Sequence, residues 1–242
     1  MTVPSIYQGL WRRTGIRRSN GSTDTTTQVW WFQAARFHID LRIPIDRPDP
    51  ASRTHIVKYL PQQLSRFGAQ TGFAGTTVVD GNHCEWQPEI AFPWISDATD
   101  AGWMRFDSDD ALHETADDGS YEEDWERVAI GPMAAVRLED PHAGAIAYLI
   151  AGDLWMAWAC GRPDDHYDQA DPLSSPWSEF TVLKRGKHWR VMASNMPWLE
   201  GTEFPQADNL DRAHLGQWAV GMAVLLPFAP EMTWRVLDIT SD

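Results

Sequence analysis

The stretch VWWFQAARFHIDLRIP, Val29 to Pro44, consists of two alternating runs joined by a pair of alanines. Phe37, Ile39, Leu41 and Ile43 fall on one side of the second run, and Arg36, His38, Asp40 and Arg42 on the other. A period of two in aromatic and β-branched residues predicts strand, turn, strand. With Ala34 and Ala35 as a two-residue turn, Phe32 pairs with Phe37, Trp31 with His38 and Trp30 with Ile39. One face of the hairpin then carries Trp30, Phe32, Phe37, Ile39 and Leu41. The other carries Val29, Trp31, Gln33, Arg36, His38, Asp40 and Arg42, so the two faces demand different surroundings.

Strand signals of this kind recur along the whole chain. They lie near 6–13, 26–34, 36–44, 73–79, 84–92, 102–106 and 121–129, and again near 134–138, 145–151, 154–160, 178–183, 188–193, 218–226 and 233–239. A helix is predicted only within Ser52 to Phe67, where Ile56, Tyr59, Leu60, Leu64 and Phe67 keep helical spacing around Pro61. The two series echo each other. AIAYLIAGDLWMAWACGRP, from Ala145, repeats the strand, turn, strand and proline of the opening stretch, and TVLKRGKHWR, from Thr181, parallels TVVDGNHCEW, from Thr77. The expected fold is therefore all-β, with two similar antiparallel barrel-like units, 1–118 and 119–242, and one short helical segment. Closure into barrels removes exposed strand edges.

The hairpin at Ala145 differs from its counterpart in one respect. Leu149, Leu154, Met156 and Trp158 share one face and Ile146, Tyr148, Ile150 and Trp155 the other, so both faces are apolar and both are expected to be covered. The first hairpin then has two arrangements. In the usual antiparallel pattern its apolar face fills its own barrel and the charged row meets water. In the alternative, the apolar face packs outward on the other unit and His38, Asp40 and Arg42 line a polar cavity under Trp31. An Arg and a His placed there would hold a ligand carboxylate, oriented by Asp40.

Composition bounds the remaining function classes. The chain has 242 residues, 14 Trp and a formal charge of −14. Between Asp97 and Glu126 there are 12 acidic residues against one base, Arg105. That sign argues against nucleic acid as a partner, because phosphate neutralisation dominates such binding. MTVPSIYQGL has neither a basic start nor an apolar stretch, and WAVGMAVLLPFAP, from Trp218, is too short to span a bilayer, so a cytoplasmic protein with no membrane partner is expected. Cys84 and Cys160 show no redox or zinc spacing. Nothing in the sequence bears on oligomeric state.

No phosphate-loop, nucleophile-elbow or dinucleotide motif occurs. His83 and Cys84 of HCE point to opposite faces of a strand, DDHYD at Asp164 to Asp168 reads as a turn, and DSDD at Asp107 lacks the rest of a calcium loop. No metal and no cofactor are expected. Carboxylates abound, and an acid–base pair needs one with a displaced pKa and another within reach.

GLW, at Gly9, Leu10 and Trp11, resembles the G-x-W motif that opens the lipocalins and the wider calycin barrels. The resemblance implies that Trp11 lies across the closed end of a barrel, packed on an arginine from a late strand, Arg127 or alternatively Arg235. In length and internal repeat the chain is similar to intracellular two-barrel calycin relatives of unassigned function. The resemblance implies a barrel that binds a small hydrophobic or amphipathic ligand, with Trp31, His38, Asp40 and Arg42 as candidate ligand-binding residues and Gly9, Trp11 and Arg127 as structural ones. Two alternatives stand beside it. One is an acid–base enzyme on the same barrel, an isomerase, hydratase or hydrolase of a small lipid-like substrate; the other is an interaction module using the acidic segment.

Overall fold

The computed structural model describes residues 2–48, 66–93, 100–161 and 178–240. The first sheet contains β1 (Gly9–Arg18), β2 (Thr23–Asp24), β3 (Gln28–Gln33), β4 (Phe37–Ile43), β5 (Thr71–Asp80), β6 (His83–Phe92), β7 (Asp100–Ser108), β8 (Ala111–Ala116) and β9 (Tyr121–Ile130). From β3 to β9 each strand pairs antiparallel with the next, and β9 returns to pair with β1 from Gly9↔Ile130 to Arg18↔Tyr121. That last pairing closes an eight-stranded barrel, with β2 as a short flap on β1.

The second sheet contains β10 (Ala134–Asp140), β11 (Ala145–Ala151), β12 (Trp155–Gly161), β13 (Glu179–Arg185), β14 (Trp189–Ser194), β15 (Glu203–Phe204), β16 (Ala223–Leu226) and β17 (Ala229–Thr240). Its spatial order is β15-β14-β13-β12-β11-β10-β17-β16. As in the first unit, consecutive antiparallel strands follow the opening strand, β3–β9 there and β11–β15 here, and a late strand returns to it: β9 on β1, β17 on β10. The second sheet curls without closing, so the expectation of two similar units holds for strand order and for one barrel only. A short helix, α1 (Arg212–Leu215), capped by the Asp211 side chain, lies in the connection from β15 to β16. The strand expected over 218–226 shrinks to Ala223–Leu226, the residues before it forming turns.

Other differences from the sequence reading have physical causes. The change of sheet falls at 131–133, after the boundary expected between 118 and 119, because β9 is needed to close the first barrel. β8, ALHETA, went unread as a strand because its inward row, Leu112, Glu114 and Ala116, is broken by a buried carboxyl. The β3–β4 hairpin pairs Gln33↔His38, Trp31↔Asp40 and Val29↔Arg42. That is two residues away from the expected register, and an even shift leaves the side chains of β3 and β4 on their expected faces, whereas Arg36, expected with the charged row, lies in the turn and pairs with Asp238. The helix expected over 52–67 falls almost entirely outside the described residues, and DDHYD at Asp164 to Asp168 does so completely.

The two units meet face to face. Phe32, Phe37, Ile39, Leu41 and Ile43 of the first pack in one cluster with Tyr148, Ile150, Trp155, Ala157 and Phe180 of the second. Gly72 of β5 makes room for the contact: a Cβ there would lie 2.7 Å from the Phe180 ring. Polar clamps edge the interface, with Arg36 Nη1 2.5 Å from Asp238 and Tyr148 Oη donating to Glu89 at 2.6 Å beside the Arg137–Glu89 ion pair. Both faces of β11–β12 are thereby covered, as its apolar pattern requires, although Leu154 falls in the turn and is 59% exposed; the other face lies in the core of the half-barrel with Trp158, Trp189 and Trp234.

This packing decides the orientation of the opening hairpin against the usual antiparallel pattern. Its apolar row faces the second unit, and His38, Asp40 and Arg42 face into the first barrel with Trp31. Magnitudes explain the choice. Five large apolar side chains at about 1.5–3 kcal/mol each outweigh the cost of burying polar groups that are hydrogen-bonded or neutral.

Candidate functional site

Aromatic rings fill the Gly9 end and middle of the first barrel. Trp31 stacks near Trp11, with ring centroids 6.2 Å apart, and meets Trp86 and Trp125 edge-on at 5.4 and 5.7 Å. Trp11 donates through Nε1 to the Tyr7 carbonyl at 2.7 Å. The Arg127 guanidinium lies 4.2 Å above the Trp11 ring and donates to the carbonyls of Ile6, Gln8 and Asp109 at 2.6, 2.6 and 2.7 Å. Gly9, with φ +134°, lets β1 approach β9 so closely that a Cβ would run into the Ala129 carbonyl oxygen. Arg235 instead pairs with Glu139 on the surface of the second unit. Of the two arginines left open by the sequence, Arg127 is the one that covers Trp11.

Above this floor a buried polar chain fixes the state of His38. Gln33 Nε2 donates to the carbonyls of Ala34 and Phe37 at 2.9 and 3.3 Å, so Gln33 Oε1 accepts from Trp31 Nε1 at 3.2 Å and from Thr77 Oγ1 at 2.9 Å. Thr77 has then given its one proton, and the 3.0 Å contact with His38 Nδ1 is donated by the ring. This pattern assigns the proton to Nδ1 and leaves Nε2 as a buried lone pair with no partner among the described residues. Burial lowers the His38 pKa to about 3, so the ring is neutral at physiological pH. Neutral and acceptor-only at its free nitrogen, His38 has no charge with which to hold a ligand carboxylate.

Toward the other end of the barrel the lining becomes charged. Arg42 donates through Nε to Asp40 at 2.8 Å, and its Nη2 is 3.5 Å from Asp100. Arg13 of β1 donates to Glu123 of β9 at 2.5 Å. Glu114 of β8 accepts from Tyr121 Oη at 2.9 Å and from Trp125 Nε1 at 3.1 Å, and Tyr121 Oη is also 3.3 Å from Asp100. Asp40, Glu114 and Glu123 are buried, whereas the side chains of Arg42 and Asp100 keep 27% and 30% of their exposure. This end is the mouth.

Four carboxyl groups share the mouth with two guanidinium groups, and the imbalance shifts protons. Burial, aided by Asp100 and Glu123, raises the Asp40 pKa to about 6 despite Arg42. Burial beside Glu123 and Asp100 lifts Glu114 well above the usual carboxylate range. Glu114, with its raised pKa, is linked through the Tyr121 hydroxyl to Asp100, a short hydrogen-bonded chain that ends at the partly exposed Asp100 side chain.

Of the residues proposed from sequence, Trp31, His38, Asp40 and Arg42 all line one interior. They divide between two levels: His38 joins the Gln33–Thr77 chain, and Asp40 and Arg42 join the mouth. The expected use of Arg42 as a carboxylate clamp is corrected, since Arg42 already sits among Asp40, Asp100 and Glu123. Sequence reasoning missed Arg13, Asp100, Glu114, Tyr121 and Glu123. The acidic run from Asp97 to Glu126 contained four of the five; alternation within TAxxGSYEEDW, 115–125, is the signal that would have turned Tyr121, Glu123 and Trp125 inward together. Among the described residues, no group of three or more His, Cys, Asp or Glu is placed to hold a metal ion, and no helix is long and apolar enough to cross a membrane.

No protein-family profile matches the chain, and no curated protein matches it. Among solved structures, the fold is similar to that of the uncharacterized protein YLR301w from Saccharomyces cerevisiae, with a TM-score of 0.57 at 13% identity. The match covers 96% of this chain and 98% of that one. At that identity the likeness is one of fold alone.

Proposed function

We propose that the chain is a calycin-like cytoplasmic binding protein whose first barrel takes a small amphipathic ligand at its Arg42–Tyr121 mouth. The observation that carries this reading is the charged row of β4, turned into a closed barrel and partly open to solvent at Arg42 and Asp100. A row with no task beyond solubility would face outward. The Trp11–Arg127 pair at the opposite end supports the calycin comparison, in which ligands enter at the end away from that pair.

The head group that fits is a hydrogen-bond donor. The interior donors of Trp11, Trp31, Thr77, Trp125 and Arg13 already have acceptors, whereas His38 Nε2 and the Asp100–Glu114 pair keep acceptor capacity. Native mass spectrometry of protein purified from its host tests the reading. A retained small molecule, lost in the Asp100→Asn variant with the fold intact, is the expected result; an unliganded protein that takes up neither amines nor alcohols in thermal-shift titrations refutes it.

A second reading rests on Glu114. A buried carboxyl of raised pKa, a phenol and a second, partly exposed carboxyl in sequence are the parts of an acid–base site. Turnover that follows a raised pKa and disappears in Glu114→Gln while ligand binding persists would favour that reading over binding alone.

A further inference from the structure

We propose that the open seam of the half-barrel, between β15 and β16, docks an extended apolar segment of another protein that carries basic residues, added as a strand along β16. The first unit shows what the second lacks. There the sheet continues past β6 through β7 and β8 to β9, whereas the second sheet ends in the two-residue β15 on one side and the four-residue β16 on the other. Neither edge has a partner strand among the described residues, and an unpaired edge presents a row of backbone donors and acceptors. No charge and no proline within β16, AVLL, guards it.

The surface around this edge is unusually apolar. No charged residue occurs from Gln217 to Pro230, yet Val220, Met222 and Leu225 are 68%, 45% and 72% exposed. Between the two edges lies an open groove of about 550 Å³, lined by Phe204, Leu225, Leu226, Pro227 and Pro230 with Glu203 at its rim. Phe204 of this lining meets Phe228 edge-on at 5.2 Å. A contiguous exposed apolar patch around a groove is the mark of an interaction surface, and strand addition is the mode that an open edge supports.

Charge selects the occupant. Glu203 lines the groove and Glu231 follows Pro230 of its lining in the chain; both are exposed, and the whole chain carries −14. A second copy would bring the same acids against them, whereas lysines or arginines in a segment of alternating apolar residues would meet them favourably. This surface belongs to the second unit and stands independently of a ligand in the first barrel.

The test uses the full chain and three labelled nine-residue peptides: alternating valine and lysine, alternating valine and glutamate, and the lysine peptide N-methylated along one edge. Fluorescence anisotropy is expected to show saturable binding of the lysine peptide, with the glutamate and N-methylated peptides at least about tenfold weaker. Hydrogen exchange at Ala223–Leu226 is expected to slow on binding. Leu225→Asp, at an exposed position that leaves the fold intact, is expected to weaken the lysine peptide despite its added negative charge. The proposal is overturned if that variant binds more tightly, if the lysine and glutamate peptides bind alike, if N-methylation has no effect, or if no peptide binds. It is also overturned if sedimentation shows a dimer that Leu225→Asp dissociates, since a second copy then fills the seam.

Discussion

Replacing Arg127 by methionine removes three donated bonds, at 2.6, 2.6 and 2.7 Å, and a cation held 4.2 Å above Trp11. Methionine keeps most of the aliphatic packing, so the loss isolates the guanidinium. Bonds from a charged donor contribute about 1.5–3 kcal/mol each when desolvated, but water reaches part of these carbonyls once the side chain is cut back. The face-on contact with the indole adds about 0.5–2 kcal/mol. The expected net cost is about 2–4 kcal/mol, which for a chain of this size lowers Tm by about 5–12 °C. Urea titration followed by tryptophan fluorescence measures it, with the midpoint falling and the slope unchanged. Arg127→Lys is expected to recover only part, because an ammonium cannot reach three carbonyls and cover the ring together. Arg235→Met, which removes an exposed ion pair, is expected to change stability by about 0.5 kcal/mol or less. A loss under about 1 kcal/mol in Arg127→Met, or equal losses at the two arginines, would refute the assignment of Arg127 as the brace of the barrel floor.

Two further outcomes follow from the same interior. Gly9→Ala places a Cβ on the Ala129 carbonyl at a backbone angle of +134°, so β1 and β9 must part at the barrel seam; a destabilisation of about 2 kcal/mol or more is expected, read by the same titration. Glu114→Gln tests the proton balance of the mouth. A carboxyl raised in the folded state binds its proton more tightly there than in the unfolded chain, so it withdraws stability as pH rises from the ordinary carboxylate value toward the raised one. Asp40, raised to about 6, acts in the same direction, and His38, lowered to about 3, acts oppositely between about 3 and 6.5. The glutamine variant is therefore expected to gain stability relative to the parent as pH is raised from 5 to 8. Parallel stability curves would show that Glu114 titrates normally.

Much of the fold was legible because strands write a period of two into the sequence. The hairpins at Val29 and Ala145, the grouping of their faces and the repeat between the units all follow from that period, and an error of two residues in register did not disturb the faces. β8 is hidden because Glu114 interrupts its apolar row, and the change of sheet at 131–133 is not legible because nothing local says that Tyr121–Ile130 must travel back to Gly9. The partners of Arg42 were out of reach for the same reason. Asp100, Glu114 and Glu123 lie far along the chain, and only barrel closure brings their strands around one interior.

The sequence by itself determined that β4 has one apolar and one charged face, that Trp31 shares the charged side, and that β11–β12 is apolar on both. Which face of β4 turns inward was decided by the tertiary structure. Alternation sets which side chains share a face but carries no label for inside, and the apolar sheet of the second unit supplied a better cover for Phe37, Ile39 and Leu41 than a barrel of that size could. His38, Asp40 and Arg42 were left to face the interior, where pairing and proton shifts keep their burial tolerable.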